Sequence, residues 1–181
     1  MVSWSRIARR SRVPLGFAVT ALYLWLADPI PISLLIGTLF IIPGLLIRAL
    51  ASGHVQKNER LATTGPYAYT RNPLYLGSFI MALGFAFAAR SWWILAILIV
   101  MFVAIYMPVI RAEEAFLAQR FPEFAEYARR VPPLVPTLTP SGKQRWEFSW
   151  NLYRKHREYN ATMGALAIMT ALVIKLLWLS R

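Results

Sequence analysis

No cysteine occurs among the 181 residues. That removes disulfides, thiolate metal sites and a cysteine nucleophile together. Histidine is almost as scarce, with His54 and His156 alone and far apart, so no multi-histidine metal site is expected. Acidic side chains number 8 against 20 Lys and Arg, a formal charge of +12. The sequence has no glycine-rich phosphate loop and no dinucleotide fingerprint,. Ser141 has no histidine near it in the chain and reads as a turn residue.

Hydrophobic residues are abundant, 57% of the chain, and they come in long runs. This composition defines an integral membrane protein. In that setting the basic excess reads as positive charge flanking membrane spans and meeting anionic lipid heads, with no nucleic-acid partner. The runs predict an all-α membrane domain over residues 1–181 with five spans, at about 13–27, 30–50, 73–89, 92–110 and 161–179. The first could also be a signal peptide, but bulky Trp25 and Leu26 stand where small residues should precede a cleavage site,. Pro43 and Pro108 should bend the second and fourth spans,. Lys175 is placed to snorkel toward the interface,. Lys and Arg concentrate before residue 13, between 51 and 72, and in the polar segment 111–160. These three stretches share one side if the N-terminus is cytosolic.

The stretch Gly65–Gly77, GPYAYTRNPLYLG, stands where polar sequence turns apolar. Gly65-Pro66 is turn chemistry. Pro73 suits the first position of a helix, and Asn72 before it suits the N-cap, its side-chain oxygen taking a free helix N–H. Tyr67, Tyr69 and Tyr75 surround one cation, Arg71. Such a helix start can cradle an anionic or nucleotide-bearing ligand, or it can be an ordinary interfacial belt. Glu113 and Glu114 follow directly on the fourth span, and ionisable residues at that depth are functional candidates. Neighbours on a helix point about 100° apart, so one of them can face the bundle, and Glu114 is taken as the inward one.

GPYAYTRNPLYLG, followed by EEAFLAQRFPEFAEYARRVP, resembles the membrane methyltransferases related to isoprenylcysteine carboxyl methyltransferase and phospholipid N-methyltransferase. Tyr67, Arg71, Asn72, Pro73 and Tyr75 match the family's first block, Glu113 and Glu114 its acidic pair, and Tyr127, Arg130, Val131 and Pro132 its last. The likeness runs from Arg48 to Pro136, about half of the chain. It implies an S-adenosylmethionine enzyme with a cofactor pocket at the cytosolic face, closed by the segment after the fourth helix. A lipophilic or prenylated acceptor would enter from the bilayer.

The resemblance implies cofactor contacts from Tyr67, Arg71, Asn72, Tyr75, Glu113, Glu114 and Tyr127, and catalytic roles for Glu114 and Arg130, with no metal. The prenylcysteine branch carries His where this chain has Asn72, which leaves a carboxylate and an amine acceptor both open. Two other readings remain: an NADPH-dependent sterol-reductase-like enzyme, and a non-catalytic protein that binds anionic lipid heads.

Overall fold

The computed structural model describes residues 19–56, 59–141 and 148–179, and these contain helices and no strand. The arginines before residue 13, the start of the expected first span, Lys57 and Trp146 lie outside the described residues.

Residues 19–26 form the described part of α1. Helix α2 is Pro31–His54 and α3 is Pro73–Ala89. Helix α4, Trp92–Met101, passes through a π-helical turn, Phe102–Tyr106, into α5, Met107–Arg120. Short helices α6, Phe124–Arg130, and α7, Trp150–Lys155, precede α8, Tyr159–Leu179.

Among the described residues three helices are long and apolar enough to cross a membrane: Pro31–His54, Trp92–Arg120 and Tyr159–Leu179. Helix α3 is equally apolar but has 17 residues, roughly 26 Å against a hydrocarbon core of about 30 Å. The apolar side chains point outward. Leu35, Leu39, Ile42 and Leu46 form an exposed stripe on α2, while Ser33, Gly37, Ile41 and Gly44 are buried on its other face. A soluble protein would reverse this pattern; here it suits lipid on the outside.

What α2 buries is its contact with α3. Gly37 lies against Gly84 and Gly44 against Gly77, so the helices run antiparallel. A Cβ on Gly44 would stand 2.8 Å from the Gly77 carbonyl, and one on Gly37 2.6 Å from that of Gly84. Close backbone approach through small residues is how helices associate where no hydrophobic effect drives them together.

Several expectations are corrected. Helix α2 ends at His54 and not at residue 50, because Ala51, Ser52, Gly53 and His54 are buried and not solvated. The irregularity expected at Pro108 lies upstream of it, as the π turn. That turn absorbs the proline's missing N–H and ring clash before the α-helix resumes. Lys175, expected to snorkel, has protein partners at the end of the bundle. Its Nζ donates to the carbonyls of Leu24, Trp25 and Ala27 at 2.6, 3.2 and 2.5 Å, capping the open end of α1 with a cation. This end of the bundle holds the cluster of Ala27, Ala86, Ala88, Ala89, Ile94 and Leu172, with Arg90 and Asp28 paired at its rim. The polar residues singled out in the sequence lie at the other end.

Candidate functional site

The site begins at a turn that only glycine permits. Gly65 has φ +58°, and a Cβ there would lie 2.5 Å from the His54 ring. From it, the 3-10 turn Gly65–Ala68 leads the chain to Asn72 at the head of α3. The proline-rich stretch after α6 is stitched along this turn. Ser141 N–H donates to Ala68 O at 2.9 Å, Thr137 N–H to Tyr69 O at 3.0 Å, and Arg71 N–H to Pro132 O at 2.9 Å. Thr70 Oγ1 donates to the carbonyls of Pro133 and Leu134, each at 3.2 Å. Prolines suit this role: with no N–H to satisfy, they offer their carbonyls alone.

At the centre, Arg71 and Glu114 form a bidentate pair, Nε to Oε1 and Nη2 to Oε2, both 2.9 Å. Arg71 Nη1 also donates to Ala128 O at 2.8 Å and Val131 O at 3.3 Å. Asn72 sits at the N-cap without a side-chain cap bond. Instead its Nδ2 donates to Glu114 Oε1 at 2.8 Å and Pro133 O at 3.0 Å. The expected capping role gives way because these two Nδ2 bonds, one of them to a carboxylate, fix the amide's orientation, and its oxygen makes no cap bond,. Glu114 is partly buried and Glu113 is exposed.

Glu113 belongs to a different set of contacts. Its Oε2 accepts the Tyr75 hydroxyl at 2.9 Å. Tyr75 meets Tyr106 edge-on at 5.8 Å, and Tyr106 stacks on Phe102 at 5.5 Å. The π turn carries Phe102 and Tyr106, and such turns recur at functional sites because they re-aim side chains.

The far wall comes from residues the sequence reading did not join to the site. Arg48 Nε donates to Glu158 Oε1 at 2.6 Å, and Arg48 also bonds Ser78 Oγ. Gly77 makes room for the Arg48 stem, which a Cβ there would meet at 2.7 Å. His156 Nδ1 lies 3.0 Å from Ser52 O, so that nitrogen carries the proton. Ser149 N–H donates to Gly53 O at 2.9 Å, docking α7 under the end of α2.

Together these groups enclose a cavity of about 490 Å³, within the usual range for small-molecule sites. Tyr67, Arg71, Asn72, Tyr75, Glu113, Glu114 and Tyr127 all line it. Arg48, Tyr106, His156 and Glu158 line it as well. Their sequence signal was weak: Arg48 and Glu158 are 110 positions apart, and nothing local links them. Arg130 is not part of the lining; it pairs with Glu126 at 3.3 Å on an exposed helix face. Tyr69 is also absent from the lining. Burial, with the Glu113 carboxylate second, pushes the Tyr67 phenol well above its ordinary range. Burial does the same to Tyr127, with Arg71 opposing it. Both phenols are therefore neutral donors, and Tyr127 gives its proton to Tyr67 O at 2.8 Å.

Residues 44–123 match the sequence model of the phospholipid methyltransferase family. The cobalt-zinc-cadmium resistance protein CzcN of Cupriavidus metallidurans is 42% identical over 98 residues, 54% of this chain and 44% of that protein. The nickel-cobalt-cadmium resistance protein NccN of Alcaligenes xylosoxydans is 42% identical over 84 residues, 46% of this chain and 39% of that protein. The protein-S-isoprenylcysteine O-methyltransferase of Schizosaccharomyces pombe is 33% identical over 83 residues, 45% of this chain and 35% of that protein. The matched stretch thus spans less than half the length of each relative. No solved structure matches the chain. The resemblance read from the motifs is found again in both the family model and the isoprenylcysteine relative.

Proposed function

Because residues 44–123 carry the phospholipid methyltransferase pattern, we propose that this protein is a membrane-embedded methyltransferase that uses S-adenosylmethionine and modifies a lipophilic acceptor. One observation carries the reading: two blocks more than 40 positions apart, around Arg71 and around Glu114, meet through a bidentate ion pair on the wall of a single cavity.

The lining suits such a donor. Phe116, Phe121, Tyr75 and Tyr106 give flat apolar surface for a base, and the exposed Glu113 can accept from an ammonium or ribose hydroxyls,. Aromatic faces also attract a positively charged sulfur. When bound, S-adenosylmethionine supplies an electrophilic methyl group on that sulfur. The protein's work is to align the acceptor and exclude water.

Glu114 is read here as a positioning residue and not as a base, since both its oxygens are engaged by Arg71 and Asn72. A carboxylate acceptor takes the methyl at oxygen and becomes a neutral ester with no proton to move. An amine must first lose a proton, and Glu113 is the carboxylate better placed to receive it. Arg111, Arg129, Arg130, Arg154 and Lys155 stand at the cavity's end of the helices, which favours the cytosolic side. Two relatives are named for metal resistance. Among the described residues no three His, Asp or Glu side chains gather.

The test is calorimetric titration of the full chain, in neutral detergent, with S-adenosylmethionine and with NADPH. Binding of the former alone, weakened in Glu113→Gln and Tyr75→Phe, and transfer of labelled methyl to a membrane lipid extract are expected. Binding of NADPH alone would turn the reading toward a reductase. Binding of neither, with retention on anionic liposomes, would leave a lipid-head platform.

A further inference from the structure

A second cavity, of about 270 Å³, lies beside the first between α1, α3, α4 and α8. Met81, Phe85, Leu98 and Ile168 make its walls apolar. Arg48 and Ser78 line both cavities, and among the described residues Arg48 is the one charged side chain on the second. The two spaces therefore meet at a guanidinium. Its known bonds, to Glu158 and Ser78, use two of the five N–H donors an arginine carries,.

We propose that Arg48 selects the acceptor by its acid group: the apolar groove takes a hydrocarbon chain, and the Arg48 guanidinium at its inner end holds a carboxylate or phosphate facing the polar cavity. An apolar slot with one cation at its end is complementary to an amphiphile with an oxyanion head, and a planar guanidinium binds such heads through paired bonds. Glu158, which neutralises Arg48 at 2.6 Å, competes for the same donors and sets how tightly the head is held. This segment lies beyond the stretch matched to the family, residues 44–123. The inference rests on the proposed use of the polar cavity for a methyl donor, but it makes a claim about binding alone.

The experiment uses the full chain in a neutral maltoside detergent at pH 8. Four probes share one hexadecyl chain: the carboxylic acid, the alkyl phosphate, the methyl ester and the alcohol. Affinities are compared at equal micellar mole fraction. At least one acid is expected to bind ~tenfold or more tightly than the ester and alcohol, and the better of the two acids identifies the head. Arg48→Gln should erase that preference, and Arg48→Lys should keep part of it. Glu158→Gln should strengthen acid binding several-fold and leave the ester unchanged, a gain that misfolding would not produce. Equal binding of acids and ester by the wild type, a preference that survives Arg48→Gln, or weaker acid binding in Glu158→Gln would each overturn the proposal. Titration of the wild type with S-adenosylmethionine keeps the two claims apart. No cofactor binding with intact acid preference defeats only the enzymatic reading; cofactor binding without acid preference defeats only this one.

Discussion

Replacing Glu114 with Gln keeps the shape of the side chain and removes its charge. In the native protein the carboxylate accepts from Arg71 Nε and Nη2 at 2.9 Å and from Asn72 Nδ2 at 2.8 Å. The Arg71 and Glu114 side chains are 14% and 20% exposed. An amide has one acceptor oxygen, so its NH₂ group faces an Arg71 N–H in either orientation, and Asn72 Nδ2 as well when it takes the place of Oε1, donor against donor. Arg71 then keeps its charge in a half-dry site with its partner gone. Breaking such a pair costs about 3 kcal/mol, at the lower end of the range for fully buried ones. For a chain of this length each kcal/mol shifts Tm by roughly 2–4 °C, so a fall of roughly 6–12 °C is expected in detergent.

Glu113→Gln is the control. That residue is exposed and accepts the Tyr75 hydroxyl, so its loss should cost under about 1 kcal/mol. A cycle of Arg71→Met, Glu114→Gln and both together should show the double variant less damaged than the sum of the singles. Equal Tm changes in Glu113→Gln and Glu114→Gln, or simple additivity in the cycle, would refute the view that Glu114 holds the site's frame.

Gly44→Leu places a branched side chain where a Cβ alone comes within 2.5 Å of Met81 and 2.8 Å of the Gly77 carbonyl. It should destabilise by about 3 kcal/mol or more and separate α2 from α3, read as protease sensitivity of the 55–72 connection. Arg130→Ala removes an exposed pair with Glu126. Stability should change by less than about 0.5 kcal/mol and S-adenosylmethionine affinity should hold, against the role first expected for this arginine. Tyr67 and Tyr127 have phenols raised by burial, so the folded state holds their protons more tightly than the unfolded one does. Their stabilising contribution is complete below about pH 10, the unfolded value, and fades as pH rises above it. Tyr127→Phe should lower stability at neutral pH through the lost bond to Tyr67 O and flatten the alkaline decline, measured by thermal melts from pH 8 to 11.

Composition and the spacing of apolar runs determined the helical, membrane-embedded character of this chain, because a bilayer tolerates little else over such runs. The two motif blocks were legible for the same local reason: turn prolines, a helix start and adjacent carboxylates announce themselves within a few residues. Tertiary packing decided what each polar atom does. Glu114 became the clamp on Arg71, and Asn72 gave up its cap, because partners 42 and 43 positions away proved the stronger ones. Arg130 fell outside the cavity because α6 turns that side of the helix to solvent. Arg48 and Glu158 meet across 110 positions, with Gly77 leaving room for the Arg48 stem beside α3. Such long-range contacts depend on how helices rotate and how near they come, and no local pattern in the chain encodes either.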